Sequence, residues 1–279
     1  MFVLWLLMIA SIVVPAAIGL AAYRAGWTLP GGGPSVWGRA AAERFGSLRA
    51  TVAILALGTI AVTVVCLPVG FLAKALEDKV DVPTLAWFIN RVRLNHLTTL
   101  NNKLTVMGNN GNVQLICLFA GILLAAIWRR NFWAPLLLIV GTFYLERYSQ
   151  RGLAHIVDRG HPPTTQGTYP SGGVGRLLSI YGLIIVLVVF LLPALTRAWR
   201  VGLYTGLGVA AVVEAFTRVY LSKHWLTDAV GGLIFGYLLL IVSATAAAAL
   251  VTTYGPSGPP PEDAGRHAQE PDVATVPVG

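Results

Sequence analysis

Arg218, His224 and Asp228 stand at a spacing that suits chemistry on an anion. His224 and Asp228 are four residues apart, so on a helix they share one face. An Asp so placed accepts from one imidazole nitrogen and fixes the tautomer, which leaves the other nitrogen to act as nucleophile or base. Ser222 is expected to cap that helix and to put His224 in its first turn, where the dipole favours an anion. Arg218 ends the preceding apolar run and approaches the same point, with Glu214 one turn earlier to pair with it. The competing account makes the three residues interfacial anchors: an Arg that snorkels, a His that caps and an Asp that faces water. Ionisable groups at a membrane edge are nonetheless functional candidates by default.

Two further stretches carry compatible chemistry. Tyr169-Pro170-Ser171-Gly172-Gly173 opens an apolar run, with Arg176 three residues after Gly173. Glycines at a helix start expose backbone N–H groups, and the Ser hydroxyl adds a donor, so the stretch is either an anion nest or a plain helix-start turn. The segment from His155 to Pro163 holds Arg159 and His161 on either side of a glycine. Its basic groups either clamp a phosphate or belong to a simple outer loop.

The elements that must position these groups are membrane helices. The 279 residues are 56% hydrophobic and 11% charged, where a soluble domain carries about 25% charged residues. A span needs about 20 apolar residues. Seven stretches qualify or nearly so: Phe2–Tyr23, Val52–Leu76, Val113–Trp128, Phe132–Tyr148, Val174–Leu195, Val201–Leu221 and Thr227–Val251. The runs are continuous rather than alternating, which excludes a barrel and leaves helices. Cys66 and Cys117 lie inside apolar runs and read as buried small hydrophobes. The net charge of +8 reads as Arg and Lys flanking spans rather than as a nucleic-acid footprint.

Arg24, Arg39, Arg44 and Arg49, then Arg129 and Arg130, then Arg197 and Arg200, fall on one side of a seven-span arrangement. That side is expected to be cytoplasmic in a plasma-membrane protein, with the N-terminus outside and the C-terminus inside. The opposite loops are also basic, which an anionic ligand there would explain. The first span, with its charge after the apolar run, is read as a retained anchor rather than a signal peptide. The organisation is residues 1–51 as N-terminal span and basic loop, 52–254 as a six-span domain, and 255–279 as a disordered tail rich in Pro and Gly.

The three stretches, in this order, resemble the signature motifs of the type 2 phosphatidic acid phosphatase family: Lys-x6-Arg-Pro, Pro-Ser-Gly-His and Ser-Arg-x5-His-x3-Asp. Arg218, His224 and Asp228 keep the third spacing, with Thr217 for the Ser. Pro170, Ser171 and Gly172 keep the second, but Gly173 stands where the family has His. In the first, Pro162 aligns, His161 stands for the Arg and Ala154 for the Lys, while Arg159 fits an Arg often seen two residues upstream. The resemblance covers roughly residues 85–250. It implies an all-α integral membrane protein: a six-helix phosphatase bundle plus one extra N-terminal helix. It further implies hydrolysis or transfer of a lipid phosphate or polyprenyl (pyro)phosphate through a phosphohistidine at the extracytoplasmic face.

On that reading His224 attacks phosphorus and Asp228 orients it. Arg218, Ser171, Gly172, Gly173, Arg159, His161 and Arg176 are the phosphate-binding candidates, with no metal and no cofactor. The missing acid of the second motif leaves three accounts: a good leaving group such as phosphate, a substitute among His161, Arg176 and Lys223, or a site that only binds lipid phosphates. A non-catalytic scaffold is the alternative, and a transporter lined by Arg218, Glu214 and Asp228 ranks after it.

Overall fold

The computed structural model describes residues 34–92, 95–163 and 167–255. The expected first span Phe2–Tyr23 and the tail beyond Gly255 lie outside these. The described chain is helical, with no strands. Helix α1 is Pro34–Phe45, α2 Ser47–Ala75, α3 Val82–Trp87, α4 Asn95–Leu104, α5 Asn110–Ile127, α6 Trp133–Val157, α7 Gly172–Leu191, α8 Arg197–Tyr220 and α9 Leu226–Tyr254.

Helices α2, α5, α7 and α9 are long and apolar enough to cross a membrane. Helices α6 and α8 have 25 and 24 residues, which at ~1.5 Å per residue exceeds the ~30 Å hydrocarbon core. They carry the ionisable groups Glu146 and Glu214, both fully buried against neighbouring helices rather than turned to lipid. The protein is thus a multi-pass membrane bundle, and its six long helices coincide with the six core spans read from the sequence.

Two boundaries differ from the sequence reading. The fourth span continues past Tyr148 to Val157, because Leu153 and Val157 bury their side chains against α2, α9 and the Tyr169 ring. The basic stretch before α2 is helical from Pro34, because Ala41 and Ala42 pack against Ala50 and Ala249.

Helix α9 is the hub. Its C-terminal half is a run of small residues, Ala246–Ala249, buried against α1 and α2. Its N-terminal half carries Gly232 and Gly236, four apart, and small residues at this spacing let membrane helices approach closely. A Cβ at Gly232 would lie 2.7 Å from the Ser171 carbonyl oxygen, and one at Gly236 would lie 2.8 Å from that of Gly175. This contact sets the start of α7 directly on α9. Gly236→Val is therefore expected to destabilise the bundle by about 1–3 kcal/mol through overpacking. A thermal midpoint in detergent equal to wild type would contradict this.

Short connections make neighbouring helices run in opposite directions. Ser47 at the start of α2 bonds Thr253 near the end of α9, at 2.7 Å between hydroxyls. At the other end, Lys74 donates to the carbonyls of Val157 and Asp158. The C-termini of α2, α6 and α8 and the N-termini of α5, α7 and α9 therefore share one end of the bundle. All three chemistry-bearing stretches lie at that end.

Candidate active site

His224 is placed by the way α8 stops. The Ser222 amide donates to the Val219 carbonyl at 2.9 Å, and the Lys223 amide to the Arg218 carbonyl at 2.8 Å. This is a Schellman turn, with Ser222 at φ 56° in the left-handed position usually held by Gly. Helix α9 begins only at Leu226. Ser222 is thus not the N-cap expected from the sequence, and His224 sits in the turn before α9 rather than in its first turn. A left-handed residue ends one helix, so it cannot also begin the next.

The expected pairing of His224 and Asp228 arises across the turn instead. His224 Nδ1 lies 3.6 Å from Asp228 Oδ2, beyond hydrogen-bond distance, and that oxygen accepts from the Trp225 amide at 3.2 Å. Because Nδ1 faces the carboxylate, Nε2 is the ring atom on the far side. The loop backbone closes on this pair: a Cβ at Gly167 would stand 2.9 Å from His224 Nδ1. Burial lowers the His224 pKa below its ordinary value of 6.5, Asp228 opposes this, and Arg218 and Arg176 add to the lowering. The surroundings thus favour the neutral ring, the form needed in a nucleophile.

The second stretch joins the third through the backbone. The Ser171 amide donates to the Asp228 carbonyl at 2.9 Å, and Ser171 caps α7. Its hydroxyl is fully buried and has no hydrogen-bond partner among the described residues. An orphan buried hydroxyl costs about 1–3 kcal/mol, which an anionic oxygen at that spot would offset. Gly172 and Gly173 open α7, so their amides are orphan donors of a helix N-terminus.

Two guanidinium groups lie over these glycines. A Cβ at Gly173 would fall 2.6 Å from Arg218 Nη2, and one at Gly172 would fall 3.0 Å from Arg176 Nη1. Glycine at 173 leaves open the space that the Arg218 guanidinium occupies. Arg218 donates from Nε to Glu214 Oε1 at 2.8 Å, and from Nη2 to the Thr105 carbonyl at 3.1 Å and to Asn109 Oδ1 at 2.8 Å. Arg176 donates from Nε to the Gly108 carbonyl at 3.3 Å and lies 3.6 Å from Glu146.

The first stretch divides. His161 is exposed, and its Nδ1 lies 2.8 Å from the carbonyl of its neighbour Pro162. Arg159 is buried behind the His224–Asp228 pair. Its Nη1 lies 3.3 Å from Asp228 Oδ1, and its Nη2 lies 2.6 Å from Asp81 Oδ2 and 3.4 Å from Glu77 Oε2. Its guanidinium is taken up by carboxylates.

Sequence reasoning passed over Glu77, Asp81, Thr105, Gly108, Asn109 and Glu146. One signal was available. The chain has only 12 acidic residues in all, and Glu77, Asp81, Glu146, Glu214 and Asp228 all come to this end of the bundle. Acids kept within or beside membrane helices usually pair with cations.

An imidazole beside a carboxylate, with a buried unpartnered hydroxyl and two guanidiniums at the same end of the bundle, is an arrangement suited to an anion. The PAP2 superfamily model matches residues 153–251. Phosphatidylglycerophosphatase B of Bacillus subtilis (strain 168) is 29% identical over 119 residues, which is 40% of this chain and 58% of that enzyme. The crystal structure of a transmembrane PAP2 type phosphatidylglycerolphosphate phosphatase from Bacillus subtilis superposes with a TM-score of 0.57 at 22% identity. It covers 66% of this chain and 93% of that one. The shared fold is the six-helix bundle expected from the sequence.

Proposed function

We propose that the protein is a lipid phosphate phosphatase that works through a phosphohistidine at the extracytoplasmic membrane face. The observation that carries this reading is the buried, unpartnered Ser171 hydroxyl at the start of α7, on the helix whose Gly172 and Gly173 lie under Arg176 and Arg218. Asp228, which faces the His224 imidazole, accepts the Ser171 amide. The named activity of the Bacillus subtilis relative and the basic residues on the opposite, cytoplasm-assigned loops support the substrate class and the orientation.

In the first step, His224 Nε2 forms a bond to phosphorus while the bond from phosphorus to the lipid oxygen breaks. Asp228 holds the positive charge that develops on the imidazole, as a carboxylate does in related nucleophile–base–acid arrangements. Arg218, the Ser171 hydroxyl and the Gly172 and Gly173 amides hold the phosphoryl oxygens, with Arg176 adding positive charge. In the second step, water attacks phosphorus, the N–P bond breaks and inorganic phosphate leaves. With Gly at 173, the leaving lipid oxygen takes its proton from water at the mouth of the site or departs as a stable phosphate anion. Arg159 serves from behind, through Asp228, and His161 lies at the rim.

Purified protein is expected to release phosphate from at least one of phosphatidylglycerophosphate, phosphatidic acid and a polyprenyl diphosphate. Rapid alkaline quench should trap an acid-labile phosphoenzyme. Because the neutral imidazole is required and its pKa is lowered, the acid limb of kcat/KM should fall below pH 6.5. Binding of all three lipids without turnover would identify a scaffold instead.

A further inference from the structure

Asp81 belongs to no motif and lies in the segment joining α2 to α5, yet it is wholly buried. A buried carboxylate costs several kcal/mol unless its oxygens are paired. Asp81 Oδ1 accepts from the Thr227 amide in the first turn of α9 at 2.9 Å. Its Oδ2 accepts from the Thr227 hydroxyl and from Arg159 Nη2. The Thr227 hydroxyl in turn accepts from Arg159 Nη1 at 2.7 Å. Asp81, Arg159 and Thr227 therefore form a closed triangle directly behind Asp228.

The distances divide the cation unequally. Arg159 stands 2.6 Å from Asp81 but 3.3 Å from Asp228. Coulomb attraction falls with separation, so Asp81 takes the larger share of the guanidinium. Asp228 keeps its other oxygen, Oδ2, for the imidazole. We infer that Asp81 is a positioning residue for the His224–Asp228 pair, holding Arg159 and the first turn of α9 so that Asp228 stays aimed at His224 and charged towards it. This rests on the phosphohistidine reading and adds to it a residue that touches neither substrate nor His224.

The charges that face His224 from each packed element fix the sign of the effect. They are Asp228 on α9, Arg218 on α8, Arg176 on α7 and the adjacent Lys223. Behind Asp228 stand Arg159, Asp81 and Glu77. Asp81→Asn keeps the shape and the acceptor for the Thr227 amide but removes the negative charge. Arg159 then relaxes onto Asp228, and the imidazole loses basicity. Removing Arg159 as well, in Asp81→Asn with Arg159→Met, leaves Asp228 wholly to His224.

The test is the pH profile of phosphate release by full-length protein in detergent, with size-exclusion behaviour and thermal midpoint as fold controls. For Asp81→Asn, the acid limb of kcat/KM should move down by about 0.5–1 pH unit. The kcat should drop about tenfold with KM within about twofold of wild type. In the double variant the limb should rise to or above the wild-type position. If the single variant does not fold, the double variant decides alone, since removing a buried pair together is often tolerated; a limb below wild type there overturns the inference. A single variant with the wild-type limb and kcat, or with a loss confined to KM, overturns it as well. Wild-type protein that releases no phosphate removes the phosphatase reading and this inference together. Wild-type turnover that disappears in His224→Ala but is unmoved by Asp81→Asn removes only the inference.

Discussion

His224→Ala should lower kcat by about 10⁴-fold or more, because on the proposed mechanism it deletes the atom that bonds to phosphorus. The fold should survive the change. The side chain lies in the α8–α9 turn with 11% exposure, and the turn is held by backbone bonds from Ser222 and Lys223. Asp228 keeps the Trp225 amide and Arg159, so it is not left as an unpaired buried charge. Affinity for orthovanadate or for the lipid phosphate should stay within a few-fold, since the oxygens are held by other groups. Phosphate release and alkaline-quench labelling, measured on the same preparation, check both halves. Wild-type turnover in the variant would rule out the phosphohistidine.

Arg218→Met should have the next largest effect, for two separable reasons. It removes a guanidinium from the proposed phosphoryl site, and losing one such donor costs about 10²–10³-fold in kcat. It also strands Glu214, which is fully buried and pairs with Arg218 at 2.7 Å. Breaking a buried pair from one side costs about 3–5 kcal/mol. The double variant Arg218→Met with Glu214→Gln should recover most of the thermal midpoint and none of the activity. Recovery of turnover in the double variant would show that Arg218 matters only as the partner of Glu214. Arg218→Lys should rescue partly: one ammonium cannot serve Glu214, the Thr105 carbonyl and Asn109 as the planar guanidinium does.

The same guanidinium gives physical content to glycine at 173. A side chain there would start 2.6 Å from Arg218 Nη2. That atom is the far end of a flexible side chain, so a histidine at 173 requires the guanidinium to shift.

The helical bundle was legible in the sequence because the driving term is local. A run of about 20 apolar residues must be a helix in lipid, where the backbone has no other partner. Residue spacing also singled out Arg218, His224, Asp228 and the Ser171 turn, which the fold brings to one end of the bundle. It misjudged the start of α9, because a non-glycine residue in the left-handed region leaves no reliable trace in residue types.

What the sequence by itself determined is the six membrane helices, their alternation, and hence the gathering of three motifs at one end. Only the tertiary structure decided which charges meet there. It turned Arg159 from the phosphate side to Asp228 and Asp81, left His161 beside its own neighbour's carbonyl, and brought Arg176 back over Gly172. Hydrophobic periodicity acts over a few residues and is written along the chain. Ion pairs such as Arg159 with Asp81, 78 residues apart, depend on which segments the fold brings together, here beside Thr227 at the start of α9, which bonds both partners.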